Sequence, residues 1–479
     1  MFPLRQALMR FLLIALPVSL LSCVAAEATD PIPLSSSLSL PTFNVDTCGE
    51  GCGTGCGESA AGNTVDWPKT LAEVFGEDCW LQVGGSYRIR FHDENNMRRS
   101  GLSGQDDQFQ LHQTRLWADA EVAEGFNIHA GFIDAASFGQ TFRARGNEVN
   151  RADLYQLYAD LRVIDSEGTL TARLGRQEMR YGSARLIMAP VWANRRRTHD
   201  GVRMMWKDSD WEIDAFWVRP AFRNVAHFTA FDATNHNQQL YGVFSTLHSL
   251  KDKKLELYWL AYDIASGSGN ASAGGKYDTL GSRYYGGTDD FLFEFEGGYQ
   301  FGKNPDQTAH SAGFFTGGVG RRFSHLTWKP EFWFFYDWAS GSSSTGNGFH
   351  TYVQRAHYYL GNMDLFGRRN LQDFNTRLTL NPVENVTFSI WYHYFLLATR
   401  RDVAYNLNMG SFAGLTAGTA GSRDLGHELD LTVTWQVNDR TQMRLGYDYF
   451  WSGRYYDKTP GVPFAGNADF FYGHFQYEF

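Results

Sequence analysis

From Leu81 to Phe479 the chain alternates between apolar and polar side chains, and a period of two places successive residues on opposite faces of a β-strand. Leu81, Val83, Gly85, Tyr87, Ile89 and Phe91 alternate with Gln82, Gly84, Ser86, Arg88, Arg90 and His92. The rhythm returns where Leu116, Ala118, Ala120 and Val122 alternate with Arg115, Trp117, Asp119 and Glu121. It returns again where Phe291, Phe293, Phe295, Tyr299 and Phe301 face away from Glu294, Glu296 and Gln300, and where Leu429, Leu431, Val433 and Trp435 face away from Glu428, Asp430, Thr432 and Thr434. Ionised groups repeated on one face of strand after strand are ruinous in a dry sandwich core. They suit a greasy exterior around a wet lumen. The fold expected is all-β: a transmembrane antiparallel up-and-down β-barrel.

Composition supports this. The chain of 479 residues is 16% aromatic and 20% charged, with 49 glycines and only 13 prolines. No stretch of the mature chain holds about 18 apolar residues, the length a membrane helix needs. A large soluble β-propeller shares part of this profile. The last strand argues for the barrel, because Phe471, Phe475, Tyr477 and the terminal Phe479 share one face. Closing strands with an aromatic final residue are typical of barrels inserted by the outer-membrane assembly machinery. Minimal turns at Glu124-Gly125, Ser166-Glu167-Gly168, Asp208-Ser209-Asp210, Asn381-Pro382-Val383-Glu384 and Asn438-Asp439 alternate with long Gly/Ser-rich segments at 137–150, 265–276, 340–367 and 403–423. Short turns on one side and long loops on the other predict about eighteen strands, an even number. Residues 220–250 and 303–325 are poorly patterned.

The N-terminal region reads differently. Arg5 and Arg10 precede an apolar run from Phe11 to Leu21, and small residues follow to Ala28, the order of a secretory signal over residues 1–28. Leu20-Leu21-Ser22-Cys23 also resembles a lipoprotein cleavage site with Cys23 as the lipidated residue. Residues 29–80 are expected to form a Cys/Gly-rich periplasmic leader in which Trp67–Gly76 could make a short helix, and the barrel is expected over 81–479. Cys48, Cys52, Cys56 and Cys79 in this leader suit disulfides in an oxidising compartment. Their spacing is not that of a zinc knuckle, and no metal or cofactor is expected.

The net charge of −9 offers no footprint for nucleic acid. Motifs of hydrolases, metalloproteases and nucleotide-binding enzymes are missing from the sequence, so a channel is expected rather than an enzyme. Guanidinium on the lumen parity can hold carboxylates with a planar fork. The candidates for anion contact are Arg88, Arg90, Arg115, Arg173, Arg203, Arg377 and Arg444. The same faces carry Asp119, Asp160, Asp214, Glu294, Glu296, Glu428, Asp430 and Asp448, so arginine–carboxylate ladders that merely brace the wall are the competing reading. Trp117, Tyr158, Tyr258, Trp333 and Trp391 share the inner parity, whereas Tyr87, Trp206, Trp435, Tyr447 and Tyr449 point outward as interface aromatics.

Several ordered blocks carry a likeness. Leu174-Gly175-Arg176-Gln177-Glu178-Met179-Arg180-Tyr181-Gly182-Ser183-Ala184-Arg185-Leu186, then Trp192, Arg197 and Asp200-Gly201-Val202-Arg203, resemble the alginate-export family of bacterial outer-membrane barrels. Tyr358–Gly367, Asn370–Asp373, Asp402–Asn406 and Asp424–Leu431 follow in the same order. The resemblance implies an 18-stranded monomeric barrel with an arginine-rich constriction narrowed by loops, whose best-known relatives pass alginate outward. It adds Arg176, Arg185 and Arg195-Arg196-Arg197, at a strand end and the loop folding back from it, to the anion candidates. Three functions are expected in order: passive export of an anionic polysaccharide, uptake of small solutes or oligosaccharides through a porin, and a plugged structural barrel.

Overall fold

The protein is described by a computed structural model covering residues 80–98, 102–222, 231–268, 272–352, 356–462 and 465–479. The signal segment, the helix expected near Trp67–Gly76, and Cys23, Cys48, Cys52, Cys56 and Cys79 lie outside the described residues.

The first strands are β1 (Leu81–Asn95), β2 (Asp107–Ala123), β3 (Phe126–Phe138), β4 (Asn150–Asp165), β5 (Thr169–Gln177), β6 (His199–Lys207) and β7 (Trp211–Phe222). A two-residue strand, β8 (Ala233–Thr234), pairs only with β7 and lies outside the ring. There follow β9 (Gln238–Leu247), β10 (Lys253–Ile264), β11 (Lys276–Gly287), β12 (Phe291–Lys303), β13 (Ala309–Arg322) and β14 (Glu331–Ala339). The last are β15 (Leu371–Val383), β16 (Val386–Leu397), β17 (Asp424–Asn438), β18 (Thr441–Ser452) and β19 (Ala468–Glu478). Each ring strand pairs antiparallel with the next, β7 pairs with β9, and β19 returns to β1, closing eighteen strands without an edge. At the seam Gly85 and Phe479 exchange both backbone hydrogen bonds, 2.8 and 3.0 Å. The terminal aromatic residue thus completes the closure.

The usual inside–outside rule is inverted, as an apolar solvent demands. Leu174 is 67% exposed on the outer surface while Arg90 is 2% and Asp448 0% exposed within. The outward apolar band faces lipid.

Connections sort by length. Beside the start of β1 and the end of β19 lie the short turns, among them Glu124–Gly125, where Gly125 takes φ +71° as a two-residue hairpin requires. The opposite end carries the longer segments 96–106, 139–149, 178–198, 265–275, 340–370, 398–423 and 453–467. Two expected turns lie slightly further along, at Glu384–Asn385 and Asp439–Arg440. The register shifts between Leu380 and Val383, so Pro382, which has no N–H to donate, falls in the irregularity rather than the ladder.

The weak patterning of 303–325 also has a cause. In β13 the lumen-facing positions 318 and 320 are glycines, and the rings of Phe335 and Trp333 lie where their Cβ atoms would be. The apolar matter filling that part of the lumen comes from β14, whose Phe335 and Trp333 stand directly opposite the two glycines.

Candidate functional site

Two of the long segments fold into the lumen instead of covering it. The first, a strap of residues 178–198, leaves β5 and crosses to opposite walls. At one end Arg185 ion-pairs with Glu294 and Glu296 of β12, and Ser183 Oγ donates to Glu296 Oε2 at 2.6 Å. At the other end Arg88 Nη1 donates to the Val191 carbonyl (2.7 Å), Arg90 Nη1 to the Trp192 carbonyl (2.7 Å), and Gln113 Nε2 to the Asn194 carbonyl (2.6 Å). β1 and β12 are ten strand positions apart one way round the ring and eight the other. The strap therefore spans nearly the full width of the lumen.

It is held by packing as well as by charge. Met179, Tyr181, Leu186 and Ile187 are buried against Phe216, Val218, Leu240 and Phe244 of the wall. Each such side chain contributes about 1.5–3 kcal/mol by leaving water. Asn194 acts as a hub: its Nδ2 donates to the carbonyls of His112, Ala136 and Glu148, and its Oδ1 accepts from Arg88.

The second infolded segment is a tongue, residues 340–370. Leu360, Met363, Leu365 and Phe366 anchor it on Phe395, Leu397, Phe450 and Phe470 of the wall. Its tip sits on three carboxylates of β17 and β18. The Met363 N–H donates to Glu428 at 2.9 Å, the Asn362 N–H to Asp430 at 3.0 Å, and the Asn362 side chain to Asp448 at 3.2 Å. Near the root, Arg368 ion-pairs with Asp337 of β14. Strap and tongue also touch each other. Tyr359 Oη donates to the Ser183 carbonyl at 2.5 Å, the Arg185 guanidinium lies 4.1 Å from the Tyr359 ring centre, and Trp192 stacks on His357 at 4.0 Å. Together they build a folded constriction.

In the Arg195-Arg196-Arg197 run Arg196 is bidentate to Glu178 at 2.6 Å and Arg195 meets Asp232 at 3.0 Å. The other candidate arginines divide into three groups. Arg173 is bidentate to Asp160 at 2.7 Å, Arg176 is bidentate to Asp200, and Arg203 meets Asp214 at 2.5 Å. Arg185 belongs with these, because its charge is answered by Glu294 and Glu296, and Glu294 also holds Arg283. Arg88 and Arg90 form the second group. They are 3% and 2% exposed and give their hydrogen bonds to carbonyls and an amide, not to carboxylates.

The third group continues this basic wall. Arg444 on β18, His474 on β19, Arg90 on β1 and Arg115 on β2 occupy four consecutive strands, with Arg444 opposite His474, His474 opposite Arg90, and Ser86 opposite Arg115. Arg115 donates to Ser86 Oγ at 3.1 Å and Arg444 to Thr434 Oγ1 at 3.2 Å. Arg377, further round on β15, lies 5.5 Å from the Trp391 ring centre. Among the acids, Asp119 meets His129 at 2.7 Å. Of the inner aromatics, Tyr158 stacks on His129 and under Arg173, while Tyr258 and Trp333 are buried in the wall. The residues that parity alone could not reveal are those of the tongue tip and the strap's carbonyls. Apart from the Asn362 side chain their contribution is backbone, which carries no side-chain signature.

A separate cluster fastens the loops at the outer end. Arg98 reaches Asp107 at 2.7 Å and Glu148 at 2.6 Å, and Arg145 reaches Glu148 at 2.6 Å and Glu94 at 2.5 Å. Burial pushes the Glu148 carboxyl up, but Arg145 and Arg98 outweigh it and hold the group below the ordinary carboxylate range. A depressed folded-state value gives stability that is complete above the unfolded value and lost as pH falls through the depressed one. Hydrogen exchange of residues 139–149 should therefore be slow at neutral pH and accelerate below about pH 4. Glu148→Ala should remove the protection at neutral pH, at a local cost of about 3–5 kcal/mol, because the buried Arg98 guanidinium and the half-buried Arg145 lose a partner. Unchanged exchange in that variant would show that the cluster does not hold the loop.

A closed eighteen-stranded barrel with a lipid-facing apolar surface, short turns at one rim and folded segments across an ionised lumen defines an outer-membrane channel. The chain belongs to the alginate export family, whose model matches residues 79–464. No curated protein matches the chain. Among solved structures it is similar to OccK8 (OprE) of Pseudomonas aeruginosa, with 11% identity, 83% of this chain and 98% of that one covered, and a TM-score of 0.54. It is also similar to OccAB2 of Acinetobacter baumannii, with 13% identity, 83% and 98% covered and a TM-score of 0.54. OpdQ of Pseudomonas aeruginosa gives 10% identity, 83% and 97% covered and a TM-score of 0.53. At these identities the likeness is one of fold.

Proposed function

We propose that the channel passively exports an anionic, alginate-like polysaccharide, working as a monomer through its arginine-bearing lumen. The observation that carries this reading is the basic wall of β18, β19, β1 and β2, where Arg88 and Arg90 form no ion pair with a carboxylate among the described residues and hold one end of the strap. A polymer with a carboxylate on each ring needs fixed cations at the narrowing, and guanidinium stays charged there. Membership of the alginate export family supports the same substrate class.

The second reading is a porin for uptake of small solutes. It is favoured by the strap, which crosses almost the whole lumen and suits a short ligand better than a long chain.

Reversal potentials in planar bilayers under a salt gradient test the first reading. The unmodified channel should be anion-selective, and Arg115→Glu with Arg444→Glu should weaken or invert that preference. Cation selectivity of the unmodified protein rejects the anion path.

A further inference from the structure

The strap borders a recess that the constriction does not use. A cavity of about 360 Å³ lies between the first turn of the strap and the walls of β6, β7 and β9. Its lining includes Lys207 and Glu212, which flank the short turn between β6 and β7. The recess therefore extends toward the rim that carries the short turns, the periplasmic side of the barrel.

The charges around it do not cancel. Arg203 meets Asp214 at 2.5 Å and Lys207 meets Glu212 at 3.3 Å, with His248 also 3.4 Å from Glu212. Arg180, on the strap itself, is exposed and has no ion pair or hydrogen bond among the described residues. It is a surplus guanidinium on the rim. The floor is rigid and apolar: Tyr181 is stacked between Phe216 and Phe244 at 5.0 and 5.1 Å, and Phe244 stacks on Tyr258 at 5.4 Å.

A planar cation, an apolar floor and carboxylate acceptors at the side are complementary to a sugar ring that carries one carboxylate. The guanidinium forks the carboxylate, the floor takes the C–H face, and Asp214 and Glu212 accept from ring hydroxyls. The volume is near the small end of the roughly 300–1,000 Å³ typical of ligand sites, which suits the end of a chain rather than its length. We infer that this recess is an entry subsite that captures a uronate residue from the periplasmic side, with Arg180 as its anion anchor. The inference rests on the anionic-saccharide export reading above and adds a binding site for the chain at the side where it enters.

The test is current block of the full-length channel by trigalacturonate, inserted with known orientation in a planar bilayer and compared with neutral maltotriose. Trigalacturonate added on the periplasmic side should block at lower concentration than when added on the outer side, and maltotriose should not block. Arg180→Gln should raise the half-blocking concentration about tenfold, the loss expected for one charge-assisted contact. Thr246→Phe fills the recess while keeping every charge and should raise it similarly. If the unmodified channel is anion-selective but both variants are blocked like the unmodified protein, or block is equal from both sides, the subsite is overturned and the anion path stands. If the unmodified channel is cation-selective and unblocked, the anion path itself has failed.

Discussion

Replacing Arg185 by alanine should raise single-channel conductance severalfold. The guanidinium is 1% exposed, ion-pairs with Glu294 and Glu296, and lies against the Tyr359 ring. Removing one partner of a buried ionic group costs about 3–5 kcal/mol, because the remaining charges stay desolvated. Glu294 keeps Arg283, so the wall itself survives. What is lost is the strap's ionic attachment to β12, leaving only the Ser183 hydroxyl on Glu296. A swing of that size turns a strap held almost permanently across the lumen into one that is detached much of the time. Conductance traces should show a larger and noisier open level. Arg185→Lys should fall between, since an ammonium keeps the charge but loses the fork. Equal conductance in all three proteins would mean that the strap does not set the pore width.

The second large effect is expected at Gly361. This residue has φ +81°, and a Cβ there would lie 2.3 Å from Glu428 Oε1 and 2.5 Å from its carboxyl carbon. Both the backbone and the space exclude a branched side chain. The same Glu428 oxygen accepts the Met363 N–H. Gly361→Val should lift the tongue tip from Glu428, Asp430 and Asp448, with Gly361→Ala giving a milder version. Exchange of the Asn362 and Met363 amides should accelerate, and conductance should rise while the barrel still resists denaturation. Slow exchange of those two amides in the valine variant would contradict the clamp.

Much of the barrel was legible because its rule is local. A residue's parity within a strand tells which face it takes, so Arg88, Arg90, Glu294, Asp430 and Asp448 are all assigned to the lumen by alternation alone, and all are buried there. Register is another matter. Arg173 lies directly between Asp160 on β4 and Arg203 on β6, and only that placement makes it a paired group instead of a free anion contact. The ladder of β4 and β5 shifts by one between Arg162 and Ile164, so counting back from the turn does not predict the partner. The constriction was harder still. Arg88 and Arg90 meet carbonyls about a hundred residues away, and nothing in the residues around Val191 marks their backbone as an acceptor for a distant strand. The resemblance to a family with infolded loops directed attention to that segment; the residues alone did not.

The most direct test of the path is the flux of sugars into liposomes carrying the purified channel, comparing trigalacturonate with maltotriose at equal length and concentration. A lumen with a basic wall beside the strap should admit the uronate oligomer faster, with the advantage shrinking as salt rises. Faster entry of the neutral oligomer, or an advantage indifferent to salt, would contradict the account.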